Sequence, residues 1–212
     1  MAKAALGLDA PQGTNWKTVA GWLGAAVLAF FGLRYFLFSA THYMVDFSQS
    51  SYRQYWPNRG YLFVHILGGS LALLCGPFQI WSGLRRRVMK AHRAIGTAYL
   101  GGVAAGSLAA FYMAAVSPLR TFGIALAVLA LAWLVTTSMA FLAIHNRHID
   151  AHKEWMIRSY VITYGFVSFR VISGWNLFGG LGTEQFATIA WMCWTVPLLF
   201  AEVALQWKRT TA

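Results

Sequence analysis

Charge is what this sequence has least of. Only 11% of its 212 residues are Asp, Glu, Lys or Arg, where an average soluble domain carries roughly 25%. A soluble chain of this length covers its core with such residues, so the deficit excludes an ordinary water-soluble domain. Cysteine is scarce as well. Cys75 and Cys193 both fall inside apolar runs and at different expected depths, which leaves no basis for a disulfide. Internal repeats and low-complexity segments are missing. So are a P-loop, a nucleotide-binding glycine pattern, an HExxH zinc motif and a nucleophile elbow, and no serine stands out as one member of a hydrolase triad.

What the chain has instead is length without charge. Hydrophobic residues make up 58% of it, and they gather into stretches long enough to cross a bilayer, for which about 20 apolar residues suffice. Six such stretches are expected near 18–40, 61–84, 94–116, 120–145, 156–178 and 185–207. The expected fold class is therefore all-α, a polytopic integral membrane bundle of about six transmembrane helices. A short tail, 1–17, precedes it and another, 208–212, follows. The first run is too long, and the segment before it too unlike a cleavable leader, to be removed as a signal peptide. Short links make sequential helices antiparallel neighbours. The longest link, 41–60, is rich in Ser, Tyr and Gln and is expected to form a small periplasmic cap.

A formal net charge of +11 raises the question of nucleic acid. Its distribution answers no, because the cations sit in short runs between apolar segments. With the N-terminus inside, Lys3, Lys17, the run from Arg85 to Arg93, Arg147, Lys153, Arg158, Lys208 and Arg209 share the cytoplasmic side, and only Arg53, Arg59 and Arg120 face the other. That asymmetry places both termini in the cytoplasm. Trp16, Trp22, Trp155 and Trp207 suit an inner aromatic belt; Tyr43, Tyr55, Trp56, Tyr61 and Trp175 suit an outer one. Gly68 and Gly69, with Gly102 and Gly106 at GxxxG spacing, mark faces where helices approach closely.

Ionisable groups at membrane depth are costly and direct attention to function. Arg34, Arg170 and His65 are expected in the outer half, where they could cluster with His42 at the outer end of the first span, and Glu202 in the inner half of the last. Snorkelling to headgroups is the simpler reading of the two arginines. At the cytoplasmic side, His148 and His152 are four apart and would share one helix face, as a metal-binding pair requires, with Asp150 and Glu154 as further oxygen ligands. His92 and His152 begin two parallel spans at matching depth, the arrangement for two axial imidazoles of a single b-type haem. Their place at the lipid–water boundary is shallower than a buried macrocycle prefers.

The order of motifs is distinctive. His65 is followed by GPFQ at Gly76 to Gln79, an arginine run, and HRAIGTAY from His92 to Tyr99. Then come Trp133 with Thr136 and Thr137, HKEWMIRSY from His152 to Tyr160, and Arg170. In these blocks the chain resembles the bacterial membrane family catalogued as domain of unknown function number twenty-three hundred and six, from about the second span to the sixth. The resemblance implies a helical membrane fold and marks His65, Gln79, His92, Arg93, Tyr99, His152, Trp155, Arg158 and Arg170 as pocket positions. It implies no activity.

Three functions are expected, in this order. The first is an accessory or scaffold subunit packing into a larger membrane assembly, with a membrane-protein partner or oligomer and no catalysis of its own. The second is an electron-transfer protein holding haem b on His92 and His152, with His65 left unpaired; if the chain is an enzyme, it is a membrane oxidoreductase. The third is a small-molecule or proton pathway through His65, Arg170 and Glu202. The expected location is the bacterial inner membrane.

Overall fold

The computed structural model describes residues 16–210, with side chains described from Leu23 onward except at 208 and 209. Most of the tails expected at 1–17 and 208–212, including Lys3, and the side chains of Trp16 and Trp22 lie outside the described residues. Six long helices carry the fold: α1 (Trp16–Tyr35), α2 (Arg59–Arg85), α3 (Met89–Ala115), α4 (Arg120–His145), α5 (Ile149–Gly174) and α6 (Glu184–Thr210). No strand occurs among the described residues. Consecutive helices from α2 to α6 pack side by side, α6 also closes onto α4, and α5 touches α1, α2, α4 and α6.

Five stretches are long and apolar enough to cross a membrane: Leu23–Val45, Gln49–Arg85, Met89–Ala115, Arg120–His145 and Glu184–Trp207. The fifth helix, α5, is equally long but more polar, and its position explains why. It runs through the middle of the bundle with Ser159, Ile162, Thr163, Gly165 and Val167 buried, so its side chains meet protein where those of the other helices meet lipid. It starts at Ile149, well before the apolar run at 156, because its first two turns carry Asp150, Lys153 and Glu154 beyond the hydrocarbon.

The links at one end are very short. Only Arg86 to Val88 join α2 to α3, and this turn holds Arg86 and Val88 in the left-handed region at φ 50° and 48°, a conformation that costs a non-glycine residue about 1–3 kcal/mol. We call this the basic end, since Arg85, Arg86, Arg87, Lys90, Arg93, Arg147 and Lys153 cluster there. The opposite end is covered by a cap. Here α1 passes through a π-helical turn, Phe36–Ala40, and a last α-turn, Thr41–Val45, before the short helix Gln49–Tyr52 and the 3-10 turn Arg53–Asn58 lead into α2. Tyr52 is fully buried at its centre, ringed by Tyr43, Phe47 and Trp56, and its hydroxyl donates to the Tyr43 carbonyl at 2.6 Å. Trp207 at the basic end and Trp175 at the cap end are each 65% exposed, as belts at two interfaces require.

Helices α2 and α3 form the tightest pair, and glycine is the reason. A methyl group on Gly68 would collide with the Gly102 carbonyl oxygen and lie 2.9 Å from the Gly106 nitrogen, and one on Gly102 would lie 2.9 Å from the Gly68 oxygen. Without side chains at these three positions the backbones approach and dispersion replaces the missing hydrophobic drive.

Candidate functional site

The three sequence blocks HRAIGTAY, GPFQ and HKEWMIRSY meet in space, and each residue of the contact has a physical task. Pro77 has no N–H, so it leaves the Leu73 carbonyl without its helical donor. The Tyr160 hydroxyl of α5 donates to that carbonyl at 3.3 Å. To reach it, the Tyr160 ring lies against Gly76, where any Cβ would fall inside the ring. Gly76, Pro77 and Tyr160 thus form one lock between α2 and α5. Two residues on, the Gln79 amide donates to the His92 carbonyl at 2.9 Å, and Gly96 leaves room for the Gln79 head.

A second set of contacts ties α3, α4 and α5 through buried polar groups. Trp133 Nε1 donates to Thr163 Oγ1 at 2.8 Å, and Thr163 donates to the Ser159 carbonyl. Thr137 gives its proton to the Trp133 carbonyl at 2.8 Å and so accepts from Ser159 Oγ at 2.6 Å. Ser159 Oγ in turn accepts from the Tyr99 hydroxyl at 2.7 Å. Every donor is spent, and no charge is involved. Such a closed network fixes helix register and orientation. Three buried polar atoms do lack a partner among the described residues, Ser70 Oγ, Ser107 Oγ and Trp194 Nε1, and none belongs to this network.

At the basic end the two cofactor candidates are held alike. His92 Nδ1 lies 2.8 Å from Ser82 Oγ; the serine gives its own proton to the Phe78 carbonyl at 2.6 Å, so the imidazole is the donor. His152 Nδ1 donates to the Ala140 carbonyl of α4 at 2.8 Å. In each ring the proton is therefore on Nδ1 and the lone pair on Nε2. The two side chains stand near enough to interact electrostatically. Gly83 faces the His92 ring with 3.3 Å between its Cβ position and Cε1.

Arg158, one turn and a half further along α5, is fixed from three directions. Its guanidinium engages both oxygens of Glu202 on α6, with Nη2 to Oε2 at 2.9 Å, approaches Glu154 at 3.6 Å, and lies over the Trp155 ring 4.8 Å from its centroid. Glu202 is thus the anchor of Arg158 at the basic end, on the far side of the bundle from His65 and Arg170. Arg93 is exposed on the same end. His148 stands at the start of α5 with no side-chain cap bond, and Asp150 pairs with Lys153 at 2.8 Å. Among the described residues, no three His, Cys, Asp or Glu side chains gather as a metal site requires.

In the cap half, His65 Nδ1 donates to the Gly106 carbonyl at 3.0 Å and its ring meets Phe166 edge-on. It lines a cavity of 10 Å³ with Tyr35, Gly69, Leu73, Thr163 and Phe166, room for about one water. Tyr35, at the start of the π-turn, interacts electrostatically with Arg170. Tyr35 thus lies beside His65 in the cavity and within electrostatic reach of Arg170, while Arg170, Arg34 and His42 are not among the residues lining that cavity with His65. Arg34 is exposed, with its guanidinium 5.7 Å from the equally exposed Phe38 ring. His42 belongs to the cap, with Nε2 3.0 Å from Ser51 Oγ.

Several participants escaped the sequence reading: Tyr35, Ser82, Ser159, Tyr160 as a donor, and Thr163. For Tyr160 a signal existed, since the carbonyl four residues before Pro77 needs a donor. For Tyr35 none did, as the π-turn beside it has no sequence signature.

Comparison with curated proteins and with solved structures finds no match. The family described as "Predicted membrane protein (DUF2306)" matches residues 62–205, which runs from α2 into α6 and includes His65, the lock between α2 and α5, the buried polar network and both basic-end histidines. The chain belongs to this family of membrane proteins.

Proposed function

We propose that this protein is a membrane electron carrier that holds one b-type haem between His92 and His152. The observation that carries the reading is that both rings are anchored through Nδ1. Two imidazoles begin parallel helices at the same end, each spends its Nδ1–H on a fixed acceptor, and each keeps its Nε2 lone pair for a ligand. A metal-ligating histidine has this arrangement, because the second hydrogen bond orients the ring and raises its basicity. Bound there, the haem would supply reversible one-electron transfer. Ser82 and the Ala140 carbonyl would keep the rings from rotating, and the Gln79 bond to the His92 carbonyl would hold the start of α3 against α2. Arg93 and the neighbouring cations would balance carboxylates at the basic end.

The asymmetry of Lys and Arg supports a basic end in the cytoplasm and a cap in the periplasm of a bacterial inner membrane. The accessory-subunit reading draws on α1, which precedes the matched residues and touches the bundle chiefly through α5 and the cap. Leu23, Val27 and Phe30 are exposed on it, as is Phe38 in the π-turn that follows. An electron carrier needs a partner, so the two readings are compatible.

The test is optical. Wild-type protein produced with ample haem should show a Soret band that His92→Ala and His152→Ala each abolish and His65→Ala retains. A Soret band of equal strength in all four proteins would place the haem elsewhere and overturn the assignment.

A further inference from the structure

The cap holds a second candidate site, of different chemistry and independent of the haem reading. Between the end of α1 and the short helix Gln49–Tyr52 lies an open depression of about 420 Å³, lined by His42, Tyr43, Asp46, Ser50, Ser51 and Arg53. That volume falls within the roughly 300–1,000 Å³ typical of small-ligand sites. Its lining is polar and carries one charge of each sign. Among the described residues, the Arg53 guanidinium has no partner. The Asp46 carboxylate takes the Ser51 hydroxyl proton on Oδ2 and keeps further lone pairs. Hydrogen bonds from Ser51 and Ser48 hold the Asp46 carboxyl below the usual carboxylate range, so it stays ionised at neutral pH. Ser51 is committed as donor to Asp46 and as acceptor from His42, which leaves it no base to activate it as a nucleophile.

A simple anion would meet Arg53 and be repelled by Asp46; a simple cation would meet the reverse. A ligand with both charges satisfies both walls. The depression adjoins the end of the apolar stretch Leu23–Val45 and is lined by Tyr43, and at the end of a membrane-spanning stretch the abundant zwitterions are headgroups. We infer that the cap binds a phosphate ester bearing a primary ammonium, phosphate toward Arg53 and ammonium toward Asp46, as a site of phosphoethanolamine type.

The full chain, purified in nanodiscs, tests this with two probes. Soluble glycerophosphoethanolamine is titrated against protein in phosphatidylglycerol nanodiscs, and native mass spectrometry counts lipids retained from mixed phosphatidylethanolamine–phosphatidylglycerol nanodiscs. Saturable binding of the soluble probe alone assigns a free ligand; selective retention of phosphatidylethanolamine alone assigns the lipid; both outcomes support the shared chemistry. Arg53→Gln and Asp46→Asn should each weaken the observed binding about tenfold, the loss of one charge-assisted hydrogen bond, and Arg53→Lys should restore most of it. Absence of both signals in the wild type, or binding unchanged in both variants, would overturn the assignment. A third overturning result is equal binding of glycerophosphate, which lacks the ammonium.

Discussion

The lock between α2 and α5 makes a prediction whose sign depends on the residue opposite. Replacing Gly76 by Ala puts a methyl group inside the Tyr160 ring, which must move and pull its hydroxyl from the Leu73 carbonyl. Overpacking of this kind costs about 1–3 kcal/mol, and the lost interhelical hydrogen bond adds about 0.6 kcal/mol. Alanine's better helix propensity returns up to about 1 kcal/mol. The net expectation is a destabilisation of about 2 kcal/mol, or a midpoint lowered by about 4–8 °C for a chain of this size. Tyr160→Ala alone should cost more, about 3–5 kcal/mol, by opening a cavity. In that background Gly76→Ala should cost nothing or stabilise, since the methyl then enters empty space. In a Tyr160→Phe background the ring remains, so its cost should persist. The assay is reversible unfolding in mixed micelles followed by tryptophan fluorescence, read as a double-mutant cycle. A coupling of about 2 kcal/mol between positions 76 and 160 is expected. If the two costs add within about 0.5 kcal/mol, the lock does not exist as described.

Gly68→Ala should separate α2 from α3 and destabilise by more than Gly69→Ala, because a methyl group at 68 meets Gly102 and Gly106 backbone while one at 69 meets nothing within 4 Å; the same unfolding assay ranks them. Tyr99→Phe removes one donor from a closed network and should cost about 0.6–1.7 kcal/mol, with the fold retained, as circular dichroism would show. The Asp46 carboxyl is held low by Ser51 and Ser48, so its contribution to the cap is present above the ordinary carboxylate pKa near 3.9 and is lost as pH falls through the lower folded value. A carboxyl ¹³C titration should show this, and Ser51→Ala should move the Asp46 midpoint upward.

The helical membrane class was legible because bilayer thickness imposes run lengths that composition reveals directly. The cap was legible only as a polar link. Its π-turn and short helices arise from tertiary contacts around Tyr52, which no periodicity announces. Helix α5 shows the opposite case: its hydropathy is low, yet the aromatic and motif residues from Trp155 to Arg170 mark it, because a helix surrounded by other helices is selected for specific contacts. His92 and His152 were visible as a pair by depth. Their common anchoring through Nδ1 was not, since it depends on Ser82 and on the Ala140 carbonyl, partners fixed only when α2 meets α3 and α4 meets α5. Glu202 was visible as a costly charge, but its partner Arg158 lies 44 positions away, beyond any local rule.

The central claim is a haem held by two imidazoles, and the most direct measurement is an oxidised-minus-reduced absorption spectrum of the purified protein, with iron quantified on the same sample. The account predicts a Soret band, sharp α and β bands on dithionite reduction, and one iron per chain. A colourless protein without iron, purified from cells that supply haem in excess, would contradict it.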